Sequence, residues 1–249
     1  MFASPDNGGF VKLLNALPFP FQVAVANSKI LALATGTKYW GLEDLDKKLI
    51  AIIGNKPGFF VELGANDGIS QSNTKHLEMF HGWRGVLIEP YPGNFQKLSK
   101  TRSRSTYFVN AACVSFGFQK SEMELTYSNL MTTPMEGSSD VEDRTSHAQS
   151  GQKFLKGDEK VSTFSAKART LNSILDDAGA PSAIDLLSLD VEGGELEVLS
   201  GVDHSKYRFN WILVESRSKE KISDFLEKLG YEFHSQLTGH DFLFQDKVR

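Results

Sequence analysis

Two stretches of acids and glycines carry the chemistry legible in this chain. The first is Val61-Glu62-Leu63-Gly64-Ala65-Asn66-Asp67-Gly68, with Glu89 following 21 positions beyond Gly68. An apolar run bearing one acid turns through Gly64 and Gly68, where a backbone without side chains approaches a ligand closely. Gly85-Val86-Leu87-Ile88-Glu89 then ends in an acid that a neighbouring strand would set beside a ribose, as in dinucleotide folds. The Gly-x-Gly-x-x-Gly spacing is absent, and Asp67 stands where a pyrophosphate would want backbone dipoles and no negative charge. An uncharged or cationic adenosyl ligand tolerates that acid better, so S-adenosyl-L-methionine is expected in preference to NAD.

The second stretch is Leu187-Ser188-Leu189-Asp190-Val191-Glu192-Gly193-Gly194-Glu195. It places Asp190 and Glu192 at the C-terminal rim of a strand, the edge at which such sheets bind ligands. Acids so close together require a cation, hydrogen bonds or raised pKa values. Glu195 is explained as an acid in the first turn of the next helix, while Glu215 ends the following strand and is a third candidate carboxylate for the same cleft. A divalent cation such as magnesium, held by Asp190, Glu192 and Glu215, is one alternative. His204, in Gly201-Val202-Asp203-His204, is a second-choice base whose competing explanation is a surface turn. His76, His81, His147, His234 and His240 lack metal-ligand spacing, so zinc is not expected and no metal-binding residue is assigned.

These residues need a scaffold, and the pattern supplies one. Strands are expected at 59–63, 85–89, 107–114, 184–191 and 211–215, alternating with helices near 71–80, 94–100, 171–178, 196–199 and 222–229. That rhythm means a mostly parallel sheet covered on both faces. Two further strands, 231–237 and 241–244, read as a hairpin through Thr238-Gly239-His240. Residues 1–56 read as a helical N-terminal extension ending at Pro57-Gly58, and 57–249 as one domain. Within it, 131–160 reads as a loop insertion or lid, long enough to need a reason.

The bulk numbers narrow the partners. A formal net charge of -4 and the lack of a basic stripe argue against a nucleic-acid partner. Lys97, Lys100, Arg102 and Arg104 form one compact cationic cluster, read as a solvated helix end or as a contact for an anionic substrate or membrane face. Cys113 stands alone and reads as a small buried hydrophobe. No signal peptide, membrane span or Asn-x-Ser/Thr sequon is evident, so a cytoplasmic location is expected unless an anchor lies upstream. The N-terminal extension is a candidate homodimer contact.

Together these residues resemble the FkbM-type family of S-adenosylmethionine-dependent methyltransferases. The resemblance runs from about Phe59 to Phe244 and rests on 61–68, 85–90, Asn110-Ala111-Ala112 and 189–199. Thr170-Leu171-Asn172 is similar to the family's Thr-Leu-Asp helix start, with Asn172 replacing the usual acid. The resemblance implies an α/β, Rossmann-like class I methyltransferase fold: a mostly parallel seven-stranded sheet with a C-terminal antiparallel hairpin. It also implies that Glu62, Gly64 and Gly68, with Asn66 and Asp67 in the same turn, bind the methionine and ribose parts of the cofactor. Glu89 would take the ribose hydroxyls, and Asn110 would lie near the adenine. Asp190 would stand beside the methyl group and acceptor, with Glu192 close by. The implied reaction is O-methylation of a hydroxyl on a sugar, glycolipid or natural product, with Asp190 or Glu192 taking the proton ahead of His204. An NAD(P)-dependent oxidoreductase and a non-catalytic binding protein on a methyltransferase fold are the alternatives.

Overall fold

Short apolar runs bounded by glycine turns form the strands, and the computed structural model describes them within residues 17–248, apart from 138, 140, 142, 156 and 158. In chain order the strands are β1 Phe59–Leu63, β2 Arg84–Ile88, β3 Tyr107–Val109, β4 Ala112–Val114, β5 Glu122–Tyr127, β6 Thr133–Pro134, β7 Ser162–Thr170, β8 Ala183–Leu189, β9 Arg208–Glu215, β10 Tyr231–Gln236 and β11 Asp241–Asp246. The helices are α1 Phe19–Ala26, α2 Lys29–Ala34, α3 Leu45–Ile53, α4 Lys75–His81, α5 Pro92–Thr101, α6 Arg144–Ser150, α7 Leu171–Asp177, α8 Glu195–Leu199 and α9 Lys219–Lys228.

The main sheet has seven strands in the order β10-β11-β9-β8-β1-β2-β3. β1 lies between β2 and β8 and runs parallel to both, with Val61 opposite Val86 and Leu187. β11 pairs antiparallel with β9 and with β10, which completes the expected hairpin. Because successive side chains point to opposite faces, each central strand feeds two cores. Val61, Leu187, Ile212 and Val214 pack with Ile174 of α7, Val198 of α8 and Leu226 of α9. Phe60, Leu186 and Leu213 pack on the other face with Leu49 of α3, Leu77 of α4 and Leu98 of α5. The sheet is thereby sealed on both sides, and its strand ends are where backbone and polar groups are free to meet a ligand.

Three expectations are corrected. The single strand expected over 107–114 is broken: β3 stays at the edge of the main sheet, while β4 leaves for a second sheet of order β4-β7-β5-β6. The side chain of Asn110, at the break, donates to the Glu89 and Pro90 carbonyls, 2.8 and 2.9 Å away, and ties the bend to the end of β2. The helix expected from residue 71 starts at Lys75, because Ser72, Asn73 and Thr74 instead donate to the Glu62 carboxylate. The 131–160 stretch is not a plain loop; it carries β6, α6 and a 3-10 turn over Gly151–Phe154. In the N-terminal extension the described part holds α1, α2 and α3, and residues 1–16 lie outside the described residues. No described helix is long and apolar enough to cross a membrane.

Candidate active site

A cleft of about 880 Å³, counted with its open mouth, lies over the C-terminal ends of β1, β2 and β8 and is roofed by the second sheet. Gly64, Asn66 and Glu89 form its floor, with Asp190 on one wall and Ala111, Ala112 and Cys113 on another. Met123, Leu125, Asn129, Thr132 and Pro134 come from the smaller sheet and its turns. Volume and mixed lining match a small-molecule site at the switch point of a doubly wound sheet.

The turn after β1 interlocks with the end of β8. Gly64 has φ +75°, and a Cβ there would lie 1.9 Å from the Asp190 carbonyl oxygen, so only glycine fits. Two residues on, the Asn66 N–H donates to Glu89 Oε2 at 2.9 Å, and the Tyr91 N–H donates to Oε1 at 2.8 Å. Glu89 is buried at the cleft floor, and burial pushes its carboxyl up to about 7 although both N–H groups pull it down.

The other members of the turn face away from the cleft. Asp67 Oδ1 accepts from the N–H groups of Ile69 and Ser70 at 3.0 and 2.7 Å, closing a local turn. Gly68, φ +82°, packs on the end of α5, where a Cβ would meet Thr101 Oγ1 at 2.4 Å. Glu62 accepts from Thr74 Oγ1 at 2.6 Å and from Arg102 Nη1 at 3.1 Å, and Arg102 Nε reaches Glu78 Oε2 at 3.0 Å. These three residues shape the turn from behind. Arg102 is thus removed from the surface cluster predicted for it, and Lys97 pairs with Glu159 at 3.3 Å, which leaves Lys100 and Arg104 exposed.

The acidic rim is convergent. Asp190, at the cleft wall, shares a hydrogen bond with Glu215 from the end of β9. Burial, then the Glu215 and Glu192 charges, hold Asp190 well above the usual carboxylate range, while burial and Glu192 push Glu215 up to about 7. Two carboxyl groups in contact cannot both ionise cheaply, so the pair retains a proton near neutrality. Glu192, at φ +53°, turns its Oε2 toward His147 Nε2 at 2.6 Å and Arg217 Nη2 at 3.4 Å. Glu195 Oε1 accepts from the Gly193 N–H at 3.0 Å and the Val191 N–H at 3.3 Å, so it fixes the loop that carries the other two acids. Among the described residues no group of three or more His, Cys, Asp or Glu side chains is arranged to hold a metal ion. The three acids do not fit the magnesium alternative, because Glu192 is engaged by His147 and Arg217.

His204 is a correction. It lies among the rings of Phe209, Phe225 and Tyr231, with Nε2 3.0 Å from the Leu199 carbonyl, and it does not line the cleft. Burial lowers its pKa, as for a ring that is part of the core. Asn110 braces the β3–β4 bend and is likewise absent from the lining, although its neighbours Ala111 and Ala112 form the wall. The contact of His147 with the cleft-lining Glu192 was not anticipated, since nothing in its own segment marks a partner 45 positions away. The roof was legible in principle: Glu122-Met123-Glu124-Leu125 alternates polar and apolar, as a half-buried strand does.

Comparison with known proteins bears on this geometry. Residues 62–233 match the Methyltransferase FkbM domain family. No curated protein matches the chain. Among solved structures, it is similar to methyltransferase FkbM from Methylobacillus flagellatus, at 14% identity and TM-score 0.46 over 96% of this chain. The chain spans only 58% of that protein's length. It is also similar to the N-terminal domain of human METTL16 in complex with SAH, at 13% identity and TM-score 0.44, covering 97% of this chain and 94% of that one. A SAM-dependent methyltransferase from Aquifex aeolicus aligns at 11% identity and TM-score 0.36, covering 97% of each chain.

Proposed function

The chain belongs to the FkbM methyltransferase family, and on that premise we propose that it moves a methyl group from S-adenosyl-L-methionine to a hydroxyl of a sugar, glycolipid or natural-product acceptor. The observation that carries the hydroxyl reading is the Asp190–Glu215 carboxyl pair at the cleft wall. An alcohol must lose its proton as the new bond forms. In this reading Asp190 accepts that proton and Glu215 shares it, supported by their contact.

The residues fit the donor. S-adenosyl-L-methionine brings an electrophilic methyl group on a positively charged sulfur. Glu89 offers two carboxylate oxygens for paired hydroxyls at the floor, held by the Asn66 and Tyr91 N–H groups. Gly64 lets the turn after β1 close on the Asp190 backbone, which sets Asn66 and Asp190 side by side along the cleft. Holding two reactants in line at roughly 3 Å supplies much of the acceleration, and Asn66, Glu89 and Asp190 stand on rigid strand ends suited to that task. Among the described residues, the charged side chains lining the cleft are all acids: Glu89, Glu136, Asp190, Glu192 and Glu197. Such a lining favours a cationic donor and a neutral acceptor, and it opposes phosphorylated or nucleic-acid acceptors.

Calorimetric titration with S-adenosylhomocysteine, with NADH in parallel, tests the donor. We expect micromolar binding of the former alone, lost in folded Glu89→Ala. Binding of NADH alone would restore the oxidoreductase, and binding of neither would favour the non-catalytic alternative. The acceptor is tested by screening polyols and glycosides, and transfer only to amines or bases would overturn the hydroxyl assignment.

A further inference from the structure

Among the described residues, the N-terminal helix pair leaves an apolar face with nothing packed against it. α1 and α2 bury Val25, Ala26 and Ala32 against Trp40, Ile69 and Met79. They expose Phe21, Leu31 and Leu33, with Ile30 at 79% exposure, and Leu17 just before them is exposed as well. A helix that is apolar all round is stable only when covered all round, and exposed patches of this kind mark contact surfaces.

Charge says what kind of surface covers it. The chain has 31 acids against 27 bases, yet between Asp6 and Glu43 it contains no acid at all. Lys29 and Lys38 are the exposed cations within the described part of that stretch. The turn between α1 and α2 is tied to α5 by Asn27 Nδ2, which donates to the Lys100 carbonyl at 2.8 Å. Exposed Lys100 is thereby added beside the apolar face, with exposed Arg104 four positions further along the same segment. Among the described residues none of these four cations is ion-paired. Apolar side chains rimmed by free cations, in an otherwise acidic protein, are complementary to a bilayer surface with anionic headgroups.

We propose that α1 and α2 dock the protein on an anionic lipid surface, with Phe21, Ile30 and Leu33 entering the headgroup layer and Lys29, Lys100 and Arg104 meeting lipid phosphates and carboxylates. The contact is peripheral, since no described helix spans a bilayer.

Sedimentation of the full chain with phosphatidylcholine vesicles, plain or containing roughly a third phosphatidylserine, tests this. The protein is expected to partition onto the anionic vesicles and to be released by salt. Each exposed cation contributes roughly fivefold to that partition. Ile30→Ser with Leu33→Ser, and separately Lys29→Glu with Lys100→Glu, should each lower it about tenfold or more. Both pairs should keep wild-type affinity for S-adenosylhomocysteine, which reports an intact fold. No binding by the wild type, or binding unchanged in both folded variants, overturns the proposal. So does a dimer, seen by light scattering, that Ile30→Ser with Leu33→Ser disrupts in a chain that ignores vesicles; the face would then belong to a second copy.

Discussion

Glu62 on β1 and Asp190 just beyond β8 are carboxylates on neighbouring strands of one sheet, and their surroundings are opposite. Glu62 faces a buried guanidinium and the side-chain and backbone donors of residues 72–74, so its charge is fully matched. Asp190 faces Glu215 and Glu192, with a cleft on its open side. A matched buried charge contributes to structure and has no capacity left for chemistry. An unmatched acid pair is held at a cost to the fold, and in the proposed reaction it supplies the proton-accepting site beside the cleft. The comparison separates two roles that acid-and-glycine motifs share in sequence.

The sharpest way to break the comparison is substitution on each side. Asp190→Asn keeps shape and removes the proton acceptor, so kcat is expected to fall about 10²–10⁴-fold, with S-adenosylhomocysteine affinity largely kept. Thermal stability at alkaline pH should hold or rise, because one of two repelling acids is gone. Arg102→Ala should do the reverse. Leaving Glu62 buried without its cation, and Glu78 with Lys75 alone, is expected to cost about 3–5 kcal/mol, read as a lower urea midpoint and a poorly folded product. If Arg102→Ala folds normally while Asp190→Asn unfolds, the assignment of roles is inverted.

Protonation gives a finer test. Glu215 holds its proton to about pH 7 in the folded chain, against an ordinary value of 4.5. The folded state therefore binds more protons between these values, and stability falls as pH rises through that window. Glu89 is raised to about 7 in the same sense and contributes with the same sign. Glu215→Gln should flatten part of the slope, by about 1–2 kcal/mol across the window, in urea midpoints taken from pH 5 to about 8. In the same window kcat should rise with pH as the Asp190–Glu215 pair loses its shared proton, an apparent pKa that belongs to both groups.

The smallest effect is expected at His147, whose ring meets Glu192 from α6. His147→Ala should raise KM for the acceptor a few-fold, of order 1 kcal/mol, with little change in kcat. A large loss of kcat would move His147 from positioning to proton transfer.

The strand–helix rhythm, the closing hairpin and the two rims at Gly64–Glu89 and Asp190–Glu192 were legible in the sequence. Each is written in a short window: apolar runs of strand length, glycines where φ must be positive, acids at strand ends. Direction was not legible. Glu62, Asp67 and Gly68 share a motif with Gly64 and Asn66, but they serve the turn, because Arg102 and Thr101 reach them from the end of α5. The smaller sheet escaped notice because β7, Ser-Thr-Phe-Ser-Ala-Lys-Ala-Arg-Thr, has few large apolar residues and takes its register from β5. His204 carried a residue type suited to catalysis and ended in an aromatic core.

The sequence by itself determined which residue types stand at the strand ends, and so the class of chemistry, because turn geometry and periodicity are local. Only the tertiary structure decided which acids meet a cation, which meet each other and which roof closes the cleft. Those outcomes depend on side chains tens of positions apart, whose pairing energies exist only once the sheets have packed.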